Sequence, residues 1–319
     1  MLKYLIIILD DTAPSFCHYV HTAKERRLMP LEILKKGIAM ARDEGFGIQV
    51  LLPDDGLSTE YQEIIDSVDN VLMARIGTSA DADVEILDGL PTAGCQWKPD
   101  GVYIVQLDAS MLTNAAAKQL AAVAMSVGRL NLLLTDIDTL TDADFQRYQQ
   151  FLETMAETIA EIAVSRPERS FQLNVLTDRI RLETMNNCGA GDESIALAPN
   201  GKFFVCPDFY YGHDSDVGDV DAGIQIKNAQ LYRLAYAPIC QRCEAYHCQR
   251  CIWLNKRTTL EVNTPSHEQC VASHLERNAS MLLQQKLRSH HFVIDGPEIP
   301  PIDYVDPFEK ANKWTRFGE

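Results

Sequence analysis

Seven of the nine cysteines fall between residues 188 and 270, at Cys188, Cys206, Cys240, Cys243, Cys248, Cys251 and Cys270. Cys240-Gln-Arg-Cys243 and Cys248-Gln-Arg-Cys251 are two C-x2-C knuckles separated only by Glu244-Ala-Tyr-His247, so four thiolates can converge without closing long loops. Alone, these four predict a structural zinc site, the commonest use of paired knuckles. The outlying cysteines enlarge the array. Cys188-x12-Gly201-x4-Cys206 precedes the knuckles and Cys270 follows them. Asn200-Gly201, between Ile195–Leu197 and Lys202–Val205, predicts a hairpin turn that sets Cys206 at a strand end.

The complete array resembles the SPASM domain, the auxiliary-cluster module of radical S-adenosylmethionine (radical SAM) enzymes that modify peptides. That pattern runs C-x(9–15)-G-x4-C, then C-x2-C-x5-C-x3-C, then C. Here the gaps after Cys243 and after Cys248 are each one residue shorter. The resemblance implies one [4Fe–4S] cluster on Cys188, Cys206 and Cys251, and another on Cys240, Cys243, Cys248 and Cys270. The first set is one ligand short, to be completed by a residue such as His213 or Asp208 or left with an open iron. The stretch from Cys248-Gln-Arg-Cys251-Ile-Trp-Leu-Asn255 through Cys270 to His274-Leu-Glu-Arg277-Asn278 is similar to the CXXX repeat peptide maturases. That bacterial family is found beside short precursor peptides with repeated cysteines.

A radical SAM enzyme also needs C-x3-C-x2-C in the loop after its first strand, to hold the cluster that cleaves the cofactor. That loop contains one cysteine, Cys17, in Ser15-Phe16-Cys17. Counting back from it, the other two ligand positions hold Asp10 and Pro14, and proline has no donor atom to give. The forward register, Cys17-x3-His21-x2-Lys24, offers one cysteine and one histidine. No S-adenosylmethionine site is therefore expected. Cys17, His18 and His21 could form another metal site or a nucleophile with an adjacent base; a remnant of the lost motif is the plainer reading. Cys95 reads as an ordinary loop or packing cysteine.

Strand and helix patterns alternate through the first half of the chain. Lys3–Leu9, Gly47–Leu52, Asn70–Ile76, Gly101–Leu107, Leu130–Thr135 and Phe171–Thr177 read as strands. Between them, helices are predicted over Pro30–Glu44, over Ser58–Val68 with a serine cap, over Ala109–Val127 and over Asp142–Ser165. Repeated strand–helix units imply an α/β class with a parallel sheet, as a barrel or a doubly wound sheet. The family resemblance implies a partial (β/α) barrel like a radical SAM core over residues 1–183. A small cysteine-rich, SPASM-like metal-binding domain over 184–288 and an extended tail over 289–319 follow. One helix, Ser266–Leu287, closes the cysteine region, and Trp314 and Phe317 end the tail.

Composition narrows the function classes. At 319 residues, with 46% hydrophobic and 23% charged residues, the chain can bury a sizeable core. A formal net charge of -16 argues against nucleic acid as a partner. Residues 240–288 nevertheless carry seven Lys/Arg against four Glu, a basic segment in an acidic protein suited to metal–thiolate clusters or an acidic peptide. The apolar run Tyr4–Leu9 is too short for a signal peptide or a membrane span, so a cytoplasmic setting is expected and clustered cysteines read as ligands.

These readings lead to maturation of a ribosomally synthesised, cysteine-repeat precursor peptide. The chain would be a catalytically degenerate accessory of a complete radical SAM partner, binding the peptide or relaying electrons through its clusters. With strand one starting at residue 3, no separate leader-binding domain is expected ahead of it; peptide capture would use the barrel mouth, the basic 240–288 segment or a partner. Two alternatives stay open: an independent peptide-modifying enzyme with an open-coordination cluster, and a non-catalytic scaffold stabilised by zinc.

Overall fold

The computed structural model describes residues 1–18, 26–166, 171–292 and 295–309. The chain runs β1 (Tyr4–Ile8), α1 (Leu31–Glu44), β2 (Gly47–Leu51), α2 (Thr59–Asp66), β3 (Asn70–Arg75) and β4 (Val84–Asp88). It continues through β5 (Val102–Leu107), α3 (Asn114–Ala124), β6 (Arg129–Leu134), α4 (Asp142–Ser165) and the short α5 (Arg179–Arg181). Then come β7 (Ser194–Leu197), β8 (Phe203–Phe204), α6 (Pro207–Tyr211), the small pair β9 (Gly218–Asp219) and β10 (Gly223–Ile224), α7 (Ile252–Thr259) and α8 (His267–Ser289). Two compact units result, Met1–Leu87 with Gly189–Tyr236, and Asp88–Cys188 with Ala237–Glu319. Neither is continuous in the chain, whereas the division expected at residue 183 is linear.

In the first unit β1 is central. It pairs in parallel with β2 on one side and β7 on the other, so that Ile7 faces both Val50 and Leu197. β3 and β4 extend the parallel pairing beyond β2, and β8 turns back antiparallel on β7. A strand with neighbours on both edges and cover on both faces should be apolar throughout, and Leu5, Ile6, Ile7 and Ile8 are all buried. Leu34, Ile38 and Ala41 of α1 recur at helical spacing and complete that core. The hairpin expected at Asn200-Gly201 forms, with Gly201 at φ 79°, a conformation that glycine adopts at little cost. Ser58 does precede α2, but its side chain makes no capping bond.

In the second unit β5 and β6 pair in parallel from Val102–Arg129 to Leu107–Leu134. The helix predicted over Ala109–Val127 is broken into two pieces. Asp108 caps a single 3-10 turn by accepting from Ser110 N, and Thr113 starts α3 afresh by accepting from Ala116 N. α4 matches its expected span and opens on a capping box between Thr141 and Asp144.

The segment Phe171–Thr177, read as a strand, is instead a bridge followed by a π-helical turn over Asn174–Asp178. Its cause is a side chain that does the work of backbone. Leu132 N donates to Asn174 Oδ1 at 2.8 Å and Asn174 Nδ2 donates to Leu132 O at 2.9 Å. Thr177 Oγ1 meanwhile bonds both the N–H and the carbonyl of Leu173. Satisfied in this way, the backbone is free to coil.

Helix α8 starts where expected, with Ser266 accepting from Gln269 N. The described part of the tail lies along it: Gln284 Nε2 donates to Pro297 O at 2.9 Å, and His267 Nδ1 is 2.8 Å from Asp306 Oδ2. Trp314 and Phe317 lie outside the described residues. Among the described residues no helix is long and apolar enough to cross a membrane.

Candidate functional site

In the second unit Cys240, Cys243, Cys248 and Cys270 line one cavity of roughly 310 Å³, its mouth included, together with Arg250, Gln269, Ser273 and His274. Each knuckle contributes through a tight turn. Cys243 closes a 3-10 turn from Cys240, which lets Ala245 N donate to Cys243 Sγ at 3.4 Å. On the second knuckle Arg250 sits at φ 48° and its N–H donates to Cys248 Sγ at 3.4 Å. Cys270 arrives from the first turns of α8, with Ser273 and His274 on the same helix face at i+3 and i+4.

Burial governs the chemistry of these thiols. Cys240 is pushed up to about 12 and Cys243 to about 11, in both cases by burial above all. Cys248 and Cys270 are also raised, burial again leading; Cys240, Cys243 and Cys270 each feel at least one neighbouring thiolate as a further penalty, and Cys248 feels the Glu276 carboxylate. Left alone, the four stay protonated and neutral at pH 7. Only a multiply charged cation could draw off several protons at once and hold the anions side by side, so the donor set fits a thiolate-ligated metal centre. Among the described residues no three His, Cys, Asp or Glu side chains close on a single-ion site. The four sulfurs share a cavity rather than a point, whereas a tetrahedral zinc would draw them to within about 3.8 Å of one another.

The remaining predicted ligands fall in both units. Cys188 is exposed and Cys251 half-buried, both in the second unit, where Cys188 N donates to Gln249 O at 3.1 Å and Cys251 caps α7. Cys206 is buried in the first unit, at the start of α6. Of the two proposed substitute ligands, Asp208 is buried and His213 exposed.

The loop after β1 carries no thiolate set. Asp10 is fully buried and already committed, accepting from Thr12 N at 2.9 Å, Thr12 Oγ1 at 2.8 Å and Arg26 Nε at 2.9 Å. Cys17 and His18 are half-buried on this loop, and His21 lies outside the described residues. Asp208 comes close to Cys17 without an ordinary hydrogen bond between them, and burial pushes its carboxyl up to about 7, the thiol opposing slightly. Nearby, Tyr210 donates to Asp11 Oδ1 at 2.5 Å.

Arg250, Gln269, Ser273, His274 and Arg277 were not singled out as site residues by spacing alone. A signal did exist: Ser273, His274 and Arg277 stand three, four and seven residues after Cys270, the repeat of one helix face.

The α/β fold is similar to that of radical SAM enzyme structures. One is SuiB of Streptococcus suis bound to precursor peptide SuiA, 9% identical over 84% of this chain and 76% of that one, with a TM-score of 0.50. Another is anSMEcpe with bound AdoMet and the Cp18Cys peptide, 10% identical over 92% of this chain and 100% of that one, with a TM-score of 0.58. At such identity the likeness is one of fold alone. No family model and no curated protein matches the chain.

Proposed function

We propose that this protein takes part in the maturation of a ribosomally synthesised precursor peptide with repeated cysteines, as a catalytically degenerate partner of a complete radical SAM enzyme. One contrast carries the reading. Four thiols, two buried and two half-buried, line a common cavity in the cysteine-rich region, while Asp10 and Pro14 stand where a cofactor-cleaving cluster needs thiolates. The fold likeness to proteins solved with peptides bound supports the substrate class.

Cys240, Cys243, Cys248 and Cys270 would hold one [4Fe–4S] cluster, and Cys188, Cys206 and Cys251 a second. A bound cluster supplies one-electron transfer. The chain's own part is to exclude water from the thiols and to donate the Ala245 and Arg250 amides to two of the sulfurs. The basic 240–288 segment suits an acidic peptide. Nine free cysteines suit a reducing cytoplasm.

Anaerobic purification followed by iron, sulfide and zinc analysis tests the metal, and incubation with precursor peptide and S-adenosylmethionine, with and without a radical SAM partner, tests the role. The expected result is iron and sulfide on the protein and peptide modification only when the partner is present. Zinc without visible absorbance would replace the cluster with a structural site; modification by the isolated protein would make it an enzyme in its own right.

A further inference from the structure

Three guanidinium groups are buried around the cysteine cavity. Arg179 is fully provided for: its Nε donates to Glu244 O at 2.6 Å, its Nη2 lies 3.4 Å from Glu244 Oε2, and it stacks 4.2 Å over the Tyr246 ring. Arg277, with 0% exposure, is not. Nη1 donates to Asn278 Oδ1 at 3.3 Å and Nη2 to Pro300 O at 2.5 Å, but Nε is buried with no acceptor. Among the described residues no carboxylate pairs with it, the near one, Glu244, being bridged to Arg179. Burying a full charge on neutral acceptors alone is strongly unfavourable, so an anion belongs nearby.

Helix geometry identifies that anion. Cys270, Ser273 and His274 line the cavity, and Arg277 is next on the same face of α8. His274 Nε2 is 3.8 Å from Cys243 Sγ, which brings the end of this stripe to the first knuckle. Arg277 accordingly favours the ionised form of Cys243, and Cys243 in turn helps keep Arg277 charged against burial. A second guanidinium completes the pattern. Arg250, also at 0% exposure, lines the cavity and favours ionised Cys240 and Cys248.

We propose that Arg277 and Arg250 are the built-in counter-charges of an anionic metal–thiolate centre on Cys240, Cys243, Cys248 and Cys270, and that they raise its reduction potential. The inference rests on the iron–sulfur reading above. Four thiolates around a [4Fe–4S] core give a net negative centre that becomes more negative by one charge on reduction. Fixed positive charge on buried side chains stabilises the reduced form more than the oxidised one.

The test is a redox titration of the anaerobically reconstituted full chain, followed by electron paramagnetic resonance, with iron and sulfide measured on each sample. Arg277→Gln and Arg250→Gln should each lower the midpoint potential at unchanged iron content, and Arg277→Lys should stay near the parent. Glu244→Gln removes the competing negative charge while leaving every cysteine, Arg250 and Arg277 in place, and should raise the potential; Arg179 loses its ion pair but keeps its bond to the Glu244 carbonyl. That variant decides the matter should the arginine variants fold poorly. Unchanged potentials in iron-replete R277Q, R250Q and E244Q overturn the counter-charge role and leave the cluster standing; a parent protein that takes up no iron and sulfide overturns both.

Discussion

His274 Nε2 lies 3.8 Å from Cys243 Sγ, while its other ring nitrogen, Nδ1, sits 2.8 Å from the Cys270 carbonyl oxygen. A carbonyl can only accept, so Nδ1 carries the hydrogen and, in the neutral ring, Nε2 turns its lone pair to the Cys243 thiol. Burial holds the ring's pKa down, with the bond to Cys270 opposing. One imidazole thus fastens the first turns of α8 to the first knuckle.

His274→Ala should therefore weaken the metal-free protein. The loss of two buried polar contacts predicts a drop of about 1–3 kcal/mol, read from urea unfolding under reducing conditions. A variant as stable as the parent would mean the contact is passive.

The thiols predict how that metal-free state responds to alkali. Their folded values lie above the ordinary 9.0, near 12 for Cys240 and 11 for Cys243. At pH 7 folded and unfolded chains hold these protons alike; above about pH 9 the unfolded thiols ionise first and draw the equilibrium away from the fold. Stability should fall progressively from about pH 9 to about pH 12, and Cys240→Ala should flatten the decline. Metal uptake has the opposite slope, tightening as pH rises because ligation expels those protons.

Asp208 makes a separate prediction for the first unit. Its carboxyl rises from an ordinary 3.8 to about 7, chiefly by burial. Between those values the unfolded chain is ionised and the folded one is not, so stability present below about pH 4 is lost by about pH 7, on the order of 4 kcal/mol. Asp208→Asn removes the titration. In the metal-free protein the stability gap between variant and parent should widen from about pH 5 to about pH 7 and then level, as followed by thermal unfolding. A gap independent of pH would show the carboxyl to be ionised throughout.

Asn174→Ala tests the side chain that mimics a strand. Removing its two bonds leaves the Leu132 N–H and carbonyl without those partners, at a cost of about 1–3 kcal/mol. Asn174→Asp keeps the acceptor and loses the donor, and should fall between the variant and the parent on urea unfolding.

The same asparagine shows where sequence stops being informative. Strands β1 and β5 were readable because they are apolar runs buried almost throughout, and α4 because its cap and its periodicity agree. Phe171–Thr177 has the same apolar texture, and nothing in its composition reveals that Asn174 will occupy the place of a backbone partner. At the site, the spacing of the cysteines was legible and a cavity does unite four of them. Arg277 was not, since a buried arginine and a surface arginine look alike until the helix face is fixed.

Whether the chain holds one centre or two is decided by combining ligand deletions. Cys270 belongs to the four-thiol cavity, and Cys206 lies in the other unit. If Cys240, Cys243, Cys248 and Cys270 form one site and Cys188, Cys206 and Cys251 another, Cys270→Ala and Cys206→Ala each remove a different share of the iron, and the double variant removes the sum. If only the cavity binds, Cys206→Ala keeps the parent's iron content and Cys270→Ala loses nearly all of it. Cys17→Ala is the control, since Asp10 is tied to Thr12 and Arg26 and the loop has no thiolate set to lose. Its iron and sulfide should equal the parent's, and a deficit there would reinstate the loop after β1 as a metal site.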